Sequence, residues 1–101
     1  MYGSIGKMTS KPGQRDALLA VLLQGAQDMP GCLSYIIARD TADEDAIWIT
    51  EVWEDEASHQ ASLQLESVRD AVAKAMPLIS GIEPGTITDP VGGAGLPSRK
   101  D

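Results

Sequence analysis

The sequence predicts one α+β domain with the element order β-α-β-β-α-β. Three observations lead there. Two runs rich in Ile, Val, Tyr and Trp, Cys32–Arg39 and Ala46–Trp53, flank the turn-forming stretch Thr41-Ala42-Asp43-Glu44-Asp45 and read as a β-hairpin. On either side of it, residues 14–27 and 55–79 repeat apolar side chains at spacings of three and four, the helical period. Two short runs near the ends, bounded by Gly and Pro, read as strands that complete a sheet.

Tyr2–Ser10 is the first strand. Gly3 and Gly6 weaken it unless another backbone or a ligand comes close there, and Lys11-Pro12-Gly13 reverses the chain. Residues 14–27 form the first helix. Leu18, Leu22 and Ala26, with Leu19 and Leu23, make its apolar stripe, while Gln14, Arg15, Asp16, Gln24 and Gln27 lie mostly off it. Gly25 costs a helix about 1 kcal/mol against Ala, so it marks fraying or close packing. Met29-Pro30-Gly31 then stops the helix.

In the hairpin, Cys32–Arg39 is apolar on both faces at Tyr35, Ile36 and Ile37. Ala46–Trp53 places Ile47, Ile49, Glu51 and Trp53 on one face and Trp48, Thr50 and Val52 on the other. Asp55 is suited to cap a helix over residues 55–65, with Glu56 on its dipole. Residues 67–79 continue helically through Val68, Ala71, Val72, Ala75, Met76 and Ile79, with a break near Glu66-Ser67 and an end enforced by Pro77 and Gly81. Residues 83–91 supply the last strand, which Pro84 and Pro90 confine to an edge. The domain is thus residues 1–91. Residues 92–101 form a Gly-rich tail, either disordered or laid across another subunit.

This order is the split βαβ pattern of the ferredoxin-like fold, a four-stranded antiparallel sheet with helices on one face. Helices cover only one side of such a sheet, yet the hairpin strands are apolar on both. The open face needs a partner, and a second copy of the chain is the simplest one: a homodimer through sheet faces.

Composition narrows the function. The chain carries 15 acids against 8 bases, a net charge of −7, and eight of the acids fall between Asp40 and Glu56 with no Lys or Arg among them. Such a field repels phosphate, so neither nucleic acid nor an anionic membrane surface is expected as a partner. The acid-rich hairpin tip reads first as a solvated loop. The single cysteine, Cys32, forbids an internal disulfide and suits a reducing compartment, and no apolar run approaches membrane-spanning length; the expected location is cytoplasmic. One histidine and scattered carboxylates offer no metal-ligand spacing, so no metal site is expected.

Aromatic residues are scarce: two Trp, two Tyr and no Phe. Both tryptophans and the only histidine nevertheless fall between Trp48 and His59. Histidine is the side-chain type that exchanges protons near neutrality, which makes His59 the candidate base; otherwise it is a helix histidine held by a carbonyl. Trp53 is a pocket wall or a core residue. Tyr35 points its hydroxyl into the same pocket, or to the opposite face if the register slips by one. Glu51, between Ile49 and Trp53, needs a partner if buried, and a cross-strand or inter-subunit ion pair with Arg39 or Lys7 is the expected one. Cys32 reads as small and apolar.

The runs P-G-C-L-S-Y and I-W-I-T-E-V-W-E-D-E-A-S-H, the earlier K-P-G-Q-R-D-A-L and the closing P-V-G-G-A-G-L together resemble the antibiotic biosynthesis monooxygenase family, which includes quinol monooxygenases. The resemblance spans residues 11–96. It implies a dimeric α+β barrel in which two sheets pack face to face and C-terminal segments reach across to the partner. It also implies oxidation of small aromatic, quinol or polyketide-like molecules by O2 with no cofactor, metal or flavin. Trp53 falls at a tryptophan of the polyketide-oxidising members. Where they carry an asparagine this chain has Ile49, and where they carry a tyrosine it has His59. The histidines of an H-L-x-x-P-H pattern in many relatives are replaced by Ser62 and Ser67. The haem-degrading branch needs a histidine late in the second helix, and residues 72–76 contain none. The expectation is a cofactor-independent monooxygenase with His59 as base and Trp53, Tyr35 and Ile49 lining the cavity. The rival expectation is a non-catalytic barrel that binds a small hydrophobic molecule.

Overall fold

The computed structural model describes residues 1–97; the last four residues of the expected tail, 98–101, lie outside the described residues. The elements are β1 (Tyr2–Ser10), α1 (Arg15–Gly25), β2 (Cys32–Arg39), β3 (Ala46–Trp53), α2 (Glu56–Ser62), α3 (Glu66–Ala75), a 3-10 turn (Met76–Leu78), β4 (Ile79–Ile82) and β5 (Thr86–Thr88). All strands form one antiparallel sheet in the order β2-β3-β1-β4, with β5 also paired to β1. β4 runs beside Met8, Thr9 and Ser10, and β5 beside Gly3, Ser4 and Ile5. They therefore share one edge of β1, and the four strand positions are those of the ferredoxin-like fold.

The C-terminal half differs from expectation in two details. The helix foreseen to Ile79 ends at Ala75, because Pro77 has no N–H for the helical ladder and its ring crowds the preceding turn. Ile79 is released to pair with Ser10 instead. Of the last strand, foreseen as one run over residues 83–91, only Thr86–Thr88 forms. Ile79–Ile82, foreseen as the end of the helix and its stop, is a strand as well, and Glu83, Pro84 and Gly85 separate the two. Glu83 N–H still donates to the Lys7 carbonyl at 3.0 Å, but Pro84 has nothing to donate, and the ladder breaks there. The described part of the tail, residues 92–97, carries a turn closed by Leu96 N–H to the Gly93 carbonyl.

The hairpin follows its sequence closely. Ile37 faces Ile49, Tyr35 faces Glu51 and Arg39 faces Ile47 across β2 and β3. At the exposed tip Asp40 accepts the backbone N–H groups of Ala42 and Asp43 and the indole N–H of Trp48, and these bonds lower its carboxyl to about 2. Arg15 donates to the Asp40 and Asp43 carbonyls and ties the tip to α1. Asp55 caps α2 by accepting the Ser58 N–H at 2.7 Å.

Leu18, Leu19, Ile47, Ile49 and Ala75 form the core between the inner sheet face and the helices. The α1 stripe differs from expectation at Leu23, which is 55% exposed; Leu18, Leu19 and Leu22 meet the core as expected, and Val21 joins them. On the outer face Ile5, Ile36 and Trp48 stay exposed at 40%, 56% and 38%. No helix among the described residues is long and apolar enough to cross a membrane.

α1 and α3 meet at Gly25, where a Cβ would lie 2.5 Å from the Ala71 Cβ. Gly25→Ala should gain helix propensity yet lose stability, because overpacking costs about 1–3 kcal/mol. That corresponds to a Tm lowered by at least ~4 °C in thermal unfolding. The double variant Gly25→Ala with Ala71→Gly should recover most of the loss.

Candidate functional site

Strand alternation builds the site. In β3 the residues after Ile47 and Ile49 on the helix side are Glu51 and Trp53, and pairing brings Tyr35 of β2 opposite Glu51 and Tyr2 of β1 opposite Trp53. α2 starts three residues beyond Trp53, and its first turn carries His59 back over that end of the sheet. Trp53 is 1% exposed. The His59 ring lies 5.6 Å from the Trp53 ring, edge to face, and 5.2 Å from the ring of Tyr2.

These residues wall a cavity of about 270 Å³ between the sheet and the helices. Tyr35, Ile49, Trp53 and His59, the four site residues foreseen from sequence, all line it. The rest of the wall is largely aliphatic, with Leu22, Val68, Val72 and Met76 among it. The α3 stripe therefore faces a cavity as well as a packed core, which accounts for the 52% and 55% exposure of Val72 and Met76.

The polar groups gather at the Trp53 end. Trp53 Nε1–H donates to Glu51 Oε1 at 3.0 Å, and the same oxygen lies 3.8 Å from His59 Nε2. Ser62 Oγ–H donates to the His59 carbonyl at 2.6 Å. His59 Nδ1 is buried and has no hydrogen-bond partner among the described residues. Burial pushes the Tyr35 phenol well above its ordinary value, with the Glu51 charge and Cys32 adding to the rise. The phenol can therefore donate a hydrogen bond but is a poor source of a phenolate base.

The sequence reading misplaced the partner of Glu51 and missed Tyr2. Glu51 was expected to pair with Arg39 or Lys7, but Arg39 pairs with Asp16 at 3.3 Å and Lys7 stands over the Trp48 ring. Strand alternation is the reason: Lys7 pairs with Trp48 on the outer face, away from Glu51. The available signal was a carboxylate on the same face as Ile49 and Trp53, eight residues before the only histidine. Tyr2 was also missed, and only the β1–β3 register brings it to His59. Among the described residues no group of three or more His, Cys, Asp or Glu side chains is placed to hold a metal ion.

The family model for antibiotic biosynthesis monooxygenases matches residues 1–74. A structure from Chloroflexus aurantiacus J-10-fl, provisionally named as an antibiotic biosynthesis monooxygenase, is 58% identical over 95% of this chain and 98% of that one, with a TM-score of 0.92. Structures from Nitrosomonas europaea and Deinococcus radiodurans, provisionally given the same name, are 14% and 23% identical. They cover 91% and 93% of this chain and 100% and 95% of their own, with TM-scores of 0.83 and 0.76, and share its fold. No curated protein matches the sequence.

The environment of Tyr35 can be read by base titration of a Tyr2→Phe variant, in which Tyr35 is the remaining phenol. The folded state holds the proton more tightly than the unfolded chain, so stability should fall as pH rises above about 10. Phenolate absorbance should appear only together with loss of the circular-dichroism signal. Phenolate formed near the ordinary value in a folded protein would place Tyr35 in water.

Proposed function

The chain belongs to the antibiotic biosynthesis monooxygenase family, and from that membership we propose that it is a cofactor-independent monooxygenase acting on a small aromatic, quinol or polyketide-like molecule bound in the cavity. The observation that carries this reading is the unpartnered, buried Nδ1 of His59 on a largely apolar wall. A buried ring nitrogen without a partner is costly, and a ligand hydroxyl would satisfy it.

His59 is the catalytic base. A phenol or enol of the substrate gives its proton to Nδ1, leaving an anion rich enough in electrons to pass one to O2. The substrate radical and superoxide combine into a peroxide, which takes the proton back. Where the attacked carbon began as CH2, loss of water from the resulting CH–OOH leaves a carbonyl. One oxygen atom stays in the product and the other leaves in water with both hydrogens, so no external reductant is consumed. The aliphatic wall excludes bulk water from these charged intermediates, Trp53 and Ile49 set the shape against which an aromatic ring lies, and Tyr35 donates to the developing oxyanion.

The same reading includes a homodimer joined through the outer sheet face, on the strength of the exposed Ile5, Ile36 and Trp48 there. Light scattering should give twice the 10.7 kDa chain mass, and Ile36→Lys should lower it towards that of one chain.

The decisive measurement is oxygen uptake by metal-stripped protein with naphthols, quinols and anthrones, each against spontaneous autoxidation. Uptake should exceed the control, resist chelator and fall about 10²-fold or more in His59→Ala. Tight binding with no uptake by any of them would instead make the protein a non-catalytic binder of small hydrophobic molecules.

A further inference from the structure

Glu51 is the one acid on the cavity wall, and among the described residues no Lys or Arg joins it there. Its strand neighbours are Ser4 on β1 and Tyr35 on β2, neither of which carries a positive charge. A carboxylate so placed is costly unless hydrogen-bonded or paired. One bond is present, from the Trp53 indole, which is itself almost wholly buried and so holds Oε1 in place. That oxygen also faces His59 Nε2.

A neutral imidazole carries one N–H, and an ionised carboxylate only accepts. With Glu51 facing Nε2, the ring proton is favoured on Nε2, and Nδ1 is left as a lone pair. That is the nitrogen buried without a partner. The separation of 3.8 Å exceeds a closed hydrogen bond, but such contacts tighten once the ring becomes positive.

We propose that Glu51 is the positioning residue of this site: it holds His59 with its proton on Nε2 and its Nδ1 lone pair open to the ligand, and it stabilises the imidazolium formed when a ligand proton arrives. The proposal rests on the reading of His59 as the base. It also narrows the ligand class to uncharged hydroxyarenes. A ligand that brings a proton is matched to Nδ1, whereas a carboxylate would meet the Glu51 charge with no cation on the wall to offset it.

His59 is the only histidine, so ¹⁵N-histidine labelling reports this ring alone. Spectra of the neutral ring should show the Nε2–H tautomer in the wild type, with Nδ1–H appearing in Glu51→Ala. With 1-naphthol as probe, Glu51→Ala should weaken binding roughly tenfold, and that loss should vanish in a His59→Ala background. The isosteric Glu51→Gln, which keeps an acceptor for the indole, should bind 1-naphthoate at least tenfold more tightly than the wild type does. An Nδ1–H tautomer in the wild type would overturn the proposal without any variant. So would a tautomer unmoved by Glu51→Ala, or equal losses with and without His59. These readouts need no oxygen: a tautomer that shifts in a protein that consumes none leaves the Glu51 role standing and removes the monooxygenase reading alone.

Discussion

The register of β3 between β1 and β2 is the constraint on which the rest of this molecule depends. Side chains alternate across a strand, so one choice of register sends Ile47 and Ile49 to the core, Glu51 and Trp53 to the cavity, and Trp48 to the outer face. A slip of one residue would exchange these sets and bury Trp48 and Thr50 under the helices. The register is held from both ends. Asp40 takes the Trp48 indole at the hairpin tip, and Glu54 N–H donates to the Gly31 carbonyl where the strand leaves for α2.

The cavity opens beside a close contact of α1 with α3. Gly25 and Ala71 let α1 and α3 touch almost backbone to backbone, beside the packed leucines of the core. Past that contact the larger side chains, Leu22 on α1, Val68 and Val72 on α3 and Met76 just beyond it, line an open space. The same apolar stripe thus serves as core at Ala75 and as cavity wall one turn away. A ligand entering there would bury apolar surface that the isolated chain leaves wet, which by itself favours binding.

Against that aliphatic wall the polar end stands out by its economy. Trp53 holds Glu51, Glu51 faces His59, and His59 keeps one nitrogen unsatisfied. A carboxylate and an imidazole set among hydrophobic side chains weaken a fold that could have packed better without them. Departures of this kind from stability gather where chemistry or binding is done. Nearby Tyr35 remains a neutral donor because burial and the Glu51 charge both resist its ionisation.

Much of this could be read from the chain. The hairpin boundaries, the Asp55 cap, the break between α2 and α3 and the edge position of the last strand follow from local chemistry, since turn residues, caps and prolines act on their immediate neighbours. The grouping of Trp53, Ile49, Tyr35 and His59 was also legible, because strand alternation and one helical turn relate residues close in sequence or paired in a hairpin. The early end of α3, the strand that follows it and the shortening of the last strand were not, although Pro77 and Pro84 marked the places: what the chain does beyond a proline depends on which partner is free, and the open edge of β1 is a property of the assembled sheet. Nor was the setting of Glu51 visible. Whether a buried carboxylate meets Arg39, Lys7 or His59 is decided by where those residues lie once β1, β2 and α2 have come together, and only the tertiary structure sets that.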